Sequence, residues 1–339
     1  MEPTGQDRGL RRTIGGGLGA IRDRLPTTVD RRVRITAWLS LVFQIVLIGT
    51  GGAVRLTASG LGCPTWPRCT ADSFVNTPEM GMHGVIEFGN RLLTFVLAAV
   101  TIAAFLAVVR FRRARPDLFR LTLLQGLSIP FQAVLGGITV LTGLNPYVVG
   151  AHFVVSVVLV AVTATLVWRV QHGPRGRRRA APGWYAALAR AASAMLAVTV
   201  VVGILTTGAG PHAGDNSDPL DPAPRNGLDA GLLQHVHSWP AYLTLALVVA
   251  LVAGAVALRL RSGWPVALLS VLVTQAVVGI SQARMGLPEL LVGLHMVLSA
   301  ITVALMTVVV LSLRVPAAED VPPAMNGARA PDGSSIPVS

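Results

Sequence analysis

Apolar residues run almost without interruption through eight segments of the 339-residue chain. A helix of about 20 apolar residues is long enough to cross the hydrocarbon core of a bilayer. The sequence therefore predicts eight membrane-spanning helices, near residues 35–54, 84–109, 119–141, 147–168, 186–207, 234–258, 265–283 and 290–313.

The composition supports an integral membrane protein. Hydrophobic residues make up 52% of the chain and charged residues only 13%, whereas a soluble domain has about 25% charged residues. This excludes a water-facing globular domain. It also excludes a disordered chain, because disorder requires few apolar residues and much charge.

The arginines indicate how the chain crosses the membrane. All 28 basic residues are Arg, and they give a net charge of +12. Eight lie in the first 34 residues, five in 110–120 and six in 169–190, whereas 55–80 has two and 142–146 has none. Because positively charged loops stay in the cytoplasm, both termini are predicted to be cytoplasmic. The predicted location of the protein is the plasma membrane. Since the arginines lie in short segments between spans, we assign them to topology and expect no nucleic-acid partner.

The sequence contains an internal repeat. Residues 132–156 and 275–299 align without a gap at an offset of 143, and the coinciding pairs are Gln132/Gln275, Gly136/Gly279, Gly143/Gly286, Gly150/Gly293, His152/His295 and Ser156/Ser299. The repeat predicts an all-α fold in which eight transmembrane helices form two pseudo-symmetric four-helix bundles, related as parallel repeats. The predicted organisation is a tail (1–33), a first half (34–170), a basic cytoplasmic linker (171–184), a second half (185–313) and a flexible tail (314–339).

Four histidines lie in even-numbered spans: His83, His152, His237 and His295. Ionisable side chains are costly inside a bilayer and usually mark function, and facing imidazoles in a four-helix bundle suit a haem iron. Zinc would need three or four converging ligands, and each half offers about two. The alternative is that each histidine only bonds a neighbouring helix. His235 remains an alternative to His237, since two residues apart they point to different faces.

Span two carries a second group of polar residues. His83, Glu87 and Asn90 fall on one stripe of a helix with 3.6 residues per turn, which places a carboxylate on the proposed haem face. We therefore predict that Glu87 is catalytic and that the other two contribute to the haem site. Arg91 has two candidate partners: Glu87, four residues before it, or a haem propionate.

The two cysteines lie in one predicted outer loop, as Cys63 and Cys69 of the segment CPTWPRC. A disulfide is chemically permitted on the outer side of the membrane. A structural cross-link and a redox-active pair both remain open. A second outer loop, GAGPHAGDN at 208–216, contains His212, which we interpret as a loop residue and not a ligand.

Together these motifs resemble those of the haem A synthase family. The resemblance covers roughly residues 35–313, and it is carried by TGGAVRLTASGLGCPTWPRC at 50–69, IEFGNRLLT at 86–94, TTGAGPHAGD at 206–215 and the two repeats with His152 and His295. It implies an oxidoreductase that converts the C8 methyl of haem O to a formyl group by successive hydroxylation. The product, haem A, serves terminal oxidases.

The resemblance also implies roles for individual residues. The second half is expected to hold haem b through His237 and His295. The first half is expected to take haem O through span two and His152, with Glu87 near the reacting methyl group. In some family members the loop cysteines form a disulfide, and the matching residues here are Cys63 and Cys69.

The expected partners follow from the same resemblance. Haem O is the substrate, and the electron donor is external, because the sequence has no flavin or nicotinamide fingerprint. Haem O synthase, assembly factors of terminal oxidases and a second copy of the chain are further candidates. The alternative function is that of a non-catalytic dihaem electron-transfer protein resembling cytochrome b561.

One position departs from the family pattern. The family commonly has His three residues after the span-two Glu, where this chain has Asn90, and an amide is a poor iron ligand beside imidazole. His83 lies seven residues before it, about 10.5 Å along the helix axis. Either His83 substitutes as a ligand, or the substrate haem is ligated by His152 alone.

Overall fold

The structure is a computed structural model that describes residues 23–215 and 222–317. Eight helices in these ranges are long and apolar enough to cross a membrane, which confirms the predicted all-α membrane fold and makes this a multi-pass membrane protein. They are α1 (Arg31–Leu56), α2 (Gly81–Val109), α3 (Pro116–Leu141), α4 (Pro146–His172), α5 (Gly183–Ala209), α6 (Ala230–Ala257), α7 (Gly263–Arg284) and α8 (Glu289–Ser312). A 3-10 turn, Pro78–Met80, leads into α2.

Side-chain caps set the beginning of several spans. The Asp30 carboxylate accepts hydrogen bonds from the backbone of Arg32 and Val33, so α1 begins four residues before the predicted apolar run. Asn145 caps α4 in the same way, with Pro146 at its first position. Such caps bond N–H groups that have no partner inside the helix. Most of the predicted tails, 1–22 and 318–339, lies outside the described residues.

The helices of each half pack around one another in chain order. In the first half α1 packs on α2 and α4, and α3 packs on the same two neighbours, so α2 and α4 lie diagonally opposite. In the second half α6 packs on α5 and α7, while α8 packs on the same two, so α6 and α8 are also diagonal. Helix α8 contacts α1 and α4 and joins the halves. The overall symmetry and the exact division of the halves stay predictions.

Two large apolar cores lie within the described helices, and a smaller cluster lies among the outer loops at Leu144, Ala213 and Ala223. The first is shared by α1, α4 and α8, with Val33, Val160 and Ala300 almost fully buried. The second lies in the other half, around Leu251 and Leu268. Many large apolar side chains on the outer faces remain exposed, as expected of helices that face lipid.

The basic linker forms a structure that the sequence did not indicate. Residues Arg175–Arg179 (β1) pair with Arg314–Pro316 (β2) as a two-stranded antiparallel sheet. Arg314 Nη1 also donates to the carbonyl of Arg177, at 3.1 Å. The described start of the predicted flexible tail is therefore ordered against the linker. No alternating apolar pattern marks β1, because four of its five residues are Arg.

Candidate functional site

Two imidazoles face each other inside the second half. The ring centroids of His237 on α6 and His295 on α8 are 6.3 Å apart, with an angle of 74° between the ring planes. Two imidazoles on opposite sides of one metal ion have centroids about 6 Å apart when the metal–nitrogen bonds are about 2 Å. The pair thus has a spacing at which both rings could bind one metal ion. Of the two candidates on α6, His237 faces His295, whereas His235 is exposed.

The chemistry of these rings agrees with their spacing. Nδ1 of His237 and Nδ1 of His295 are both buried and have no hydrogen-bond partner among the described residues. A buried polar nitrogen without a partner is costly and calls for an explanation. Neutral imidazole nitrogen is a common metal ligand. The residues present therefore fit a haem iron between α6 and α8.

Glycines on the flanking helices make room for the rings. A Cβ atom on Gly203 of α5 would lie 2.8 Å from Cε1 of His237, and one on Gly279 of α7 would lie 3.1 Å from Cε1 of His295. Because glycine has no side chain, these backbones can approach the imidazoles closely. Gln275 supports the same region by donating to the His295 carbonyl at 3.0 Å. Helices α5 and α7 therefore restrict how the two rings are oriented.

His152 in the first half has closely similar surroundings. Its Nδ1 is buried and has no partner among the described residues. Gly136 of α3 lies against the ring, since a Cβ there would be 3.4 Å from Cε1. Gln132 donates to the His152 carbonyl at 3.3 Å and to Ser156 Oγ at 2.7 Å. The repeated Gln, Gly and His residues thus make equivalent local contacts in both halves.

The first half does not contain a matching imidazole pair. His83 lies in the first turn of α2, where Nδ1 is hydrogen-bonded to Ser59 Oγ at 2.9 Å. Asn90 Oδ1 accepts a hydrogen bond from Thr50 Oγ1 at 2.7 Å. Both side chains therefore have protein partners on α1 or just beyond it. Their roles in haem binding, and that of His152, stay predictions.

Glu87 is buried in α2 and forms the predicted pair with Arg91. Its Oε1 accepts from Arg91 Nη2 at 2.5 Å and from Nε at 3.1 Å, and its Oε2 accepts from the Cys63 backbone N–H at 2.5 Å. Arg91 also donates to the carbonyls of Cys63, Thr65 and Arg68. This network satisfies a charge pair in a low-dielectric site. It also holds the 63–69 loop against α2, while the propionate role of Arg91 stays a prediction.

The 63–69 loop is closed by a disulfide between Cys63 and Cys69, and both residues are fully buried. Trp66 extends from this loop onto α3, where any Cβ atom on Gly137 would collide with the indole ring. Sequence reasoning missed this contact. The available signal was a break in the repeat, because Gly137 aligns with Ile280 whereas the preceding glycines coincide.

The two outer loops pair with each other. Ser59 and Asp215 form an antiparallel β-bridge, and the Gly60 N–H donates to the Gly214 carbonyl at 2.8 Å. These residues belong to the two Gly-rich motifs on which the family resemblance rests. The motifs therefore act as one structural unit at the junction of the halves.

Arg55 and His212 extend this connection. Arg55 Nε donates to the His212 carbonyl at 2.7 Å, and Arg55 Nη2 donates to the Thr207 carbonyl at 3.0 Å. His212 Nε2 donates to the Leu287 carbonyl at 2.9 Å, in the turn between α7 and α8. His212 thus ties a loop to a helix turn, in line with its interpretation as a loop residue.

Comparison with known proteins finds similarity over most of the chain. The model of the COX15-CtaA family, described as cytochrome oxidase assembly protein, matches residues 34–307. The chain is similar to the haem A synthase of Bacillus pumilus (strain SAFR-032), with 35% identity over 144 residues, or 41% of this chain and 45% of that protein. It is also similar to the haem A synthase of Geobacillus kaustophilus (strain HTA426), with 28% identity over 37% of this chain and 38% of that protein. The matched segment spans less than half the length of each relative.

Proposed function

Because the chain belongs to the COX15-CtaA family of cytochrome oxidase assembly proteins, we propose that it is a haem A synthase. In the proposed reaction two successive hydroxylations convert the C8 methyl of haem O to a gem-diol, which loses water to give a formyl group. Each hydroxylation would take one oxygen atom from O2, and the external donor would supply the two electrons that reduce the other oxygen atom to water. The observation that carries this proposal is the difference between the two halves. One has a facing imidazole pair, and the other has a single unpartnered imidazole with a buried carboxylate.

The second half is the proposed cofactor site. His237 and His295 would hold haem b, which supplies one-electron redox chemistry when bound. The protein contributes two imidazoles whose centroids are 6.3 Å apart, and glycines on α5 and α7 that let the backbone approach both rings. Helices α5 to α8 contain only one acidic residue, Glu289 in the first turn of α8. These four helices therefore carry no buried acid that could move protons, which agrees with holding a cofactor.

The first half is the proposed substrate site. His152 would ligate the iron of haem O, and His83, Asn90 and Arg91 would contribute from α2. Glu87 is the proposed catalytic residue: its carboxylate would accept or donate a proton at the C8 substituent as the carbon is hydroxylated and dehydrated. Arg91 keeps that carboxylate oriented through two hydrogen bonds to Oε1.

The remaining parts of the proposal concern the protein's surroundings. Both termini would lie in the cytoplasm, so that the loops with Cys63 and His212 face the outer side of the plasma membrane. The electron donor would be external, and haem O synthase and oxidase assembly factors are proposed partners. The halves 34–170 and 185–313 would be the structural units for substrate and cofactor.

Chromatography of extracted haems tests the proposal. The chain is expressed in a membrane that contains a haem O source, purified in detergent, and compared with a preparation from cells that lack it. We expect haem A and residual haem O together with haem B. Haem B alone would contradict the proposed activity and favour a dihaem electron-transfer protein.

A further inference from the structure

We infer that Trp66 is a specificity-determining residue of the first half, where its indole forms the α3-side wall of the site for the tetrapyrrole substrate. The inference rests on the proposed function for the identity of that substrate. The position of the indole follows from contacts in the structure. Three sets of contacts point to this role.

The first is the placement of Trp66 beside the proposed ligand. Gly136 of α3 lies against the His152 imidazole, and the next residue, Gly137, lies against the indole of Trp66. Consecutive helix residues point about 100° apart, so the imidazole and the indole occupy adjoining faces of one α3 turn. A flat macrocycle bound between the diagonal helices α2 and α4 has edges that face α1 and α3. Trp66 lies at the α3 edge.

The second set of contacts holds the loop that carries the indole. Arg91 donates to the carbonyls on both sides of Trp66, at 3.3 Å to Thr65 and 3.2 Å to Arg68. The backbone of Cys63 is bound to Glu87, and the disulfide closes the loop. The network that orients the proposed catalytic carboxylate therefore also positions the indole. Both groups belong to one assembly on the substrate side.

The third is the contrast with the second half. The position equivalent to Gly137 is Ile280, a residue of α7 itself that is 43% exposed. In the second half α7 carries its own side chain at this position, whereas in the first half the missing side chain of Gly137 leaves space that an indole from a loop occupies. Trp66 is 36% exposed, so the indole can change rotamer while the loop backbone stays held. A wall of this kind suits a ligand that must enter and leave, because the side chain can rotate without moving a helix.

The chemistry of indole matches a tetrapyrrole. Tryptophan offers a large apolar ring that packs face-on or edge-on against another aromatic system. Its size also limits which substituents fit at the macrocycle edge. Replacing Trp66 with a smaller residue removes both the aromatic contact and the restriction on substituent size. The first half should then retain haem O less well when haem B competes for the site.

Three variants test the inference in the full-length protein, co-expressed with a haem O source and purified with its haems. Trp66→Ala is expected to lower the ratio of haem O plus haem A to haem B at least about fivefold, on the scale of one aromatic contact. Gly137→Ala is expected to do the same with Trp66 intact, because the new Cβ displaces the ring. Trp66→Phe should restore most of the wild-type ratio.

Two controls separate this role from a general effect on folding. Phe74→Ala removes an exposed ring near the same loop that lies 5.2 Å from the Arg68 guanidinium, and it should keep the wild-type ratio. Haem B bound per chain shows whether the second half is folded in every variant. A wild-type ratio in both Trp66→Ala and Gly137→Ala would overturn the inference. A wild-type protein with neither haem O nor haem A would instead defeat the proposed function.

Discussion

The two halves of this protein share a framework but differ in what it surrounds. His152 and His295 have the same neighbours, a glycine on the preceding helix and a glutamine that bonds the histidine carbonyl. Only His295 faces a second imidazole, that of His237. In the first half the corresponding side of the bundle holds the ion pair of Glu87 and Arg91 and the loop bound to it.

This difference distinguishes contacts that maintain the fold in both halves from the residues that we propose for catalysis and haem binding. The turns that precede α4 and α8 also correspond, since Leu144 and Leu287 both have φ of 61° and both donate their backbone N–H over 2.8 Å to the end of the preceding helix. Where two halves share such details, departures between them are expected at functional sites. Here the departures lie on α2 and in the 63–69 loop.

Removing one imidazole of the second half should have the largest effect. His295→Ala is expected to lower bound haem B more than about tenfold and to abolish haem A formation, because a single imidazole cannot hold the iron from both sides. Haem content of the purified protein, measured by its absorption spectrum and by extraction, checks this. His235→Ala, at an exposed position, is the control. Haem B at the wild-type level in His295→Ala would refute the proposed cofactor site.

Neutralising the buried acid should reveal the function of the first half. Glu87→Gln is expected to reduce conversion of haem O to haem A about 100-fold or more, the usual contribution of a general acid or base. Glutamine retains an oxygen that can accept from the Cys63 N–H, so the loop should stay bound. Product ratios from extracted haems provide the measurement, with haem B per chain unchanged.

The matched control for this prediction is Glu289→Gln, which neutralises an exposed acid in the first turn of α8. If Glu87→Gln and Glu289→Gln both gave the wild-type product ratio, Glu87 would serve only to hold the loop. The first half would then have no identified proton-transferring group.

A pair of glycine variants compares the space around the imidazoles of the two halves. Gly203→Ala would place a Cβ 2.8 Å from the His237 ring, whereas Gly136→Ala would place one 3.4 Å from the His152 ring. Overpacking costs about 1–3 kcal/mol, so haem B content should fall about fivefold or more in Gly203→Ala. Gly136→Ala should change substrate haem content less than about twofold, because 3.4 Å approaches an ordinary contact. Equal effects in both variants would show that the two imidazoles are not held differently.

The sequence predicts these spans because bilayer thickness fixes the length of each apolar run. It also predicts which histidines correspond, since the repeat aligns His152 with His295 without a gap. The contact between Trp66 and Gly137 joins segments far apart in the chain, and no periodic pattern links them. The strands Arg175–Arg179 and Arg314–Pro316 are not predicted for the same reason. Their pairing uses backbone hydrogen bonds, which impose no recognisable pattern of side chains on a run of arginines.

Removing the disulfide should have the smallest effect and should be confined to the first half. A cross-link between residues six apart stabilises a chain by about 2 kcal/mol in the loop-entropy model. The 63–69 loop is also held by Glu87 and Arg91, so Cys63→Ser combined with Cys69→Ser should leave it in place. We expect a thermal midpoint lower by a few degrees, unchanged haem B and modestly reduced haem A. Haem A formation that stops while haem O stays bound would contradict this expectation. It would assign the cysteines a role in conversion, either through redox chemistry or through the Cys63 N–H that holds Glu87.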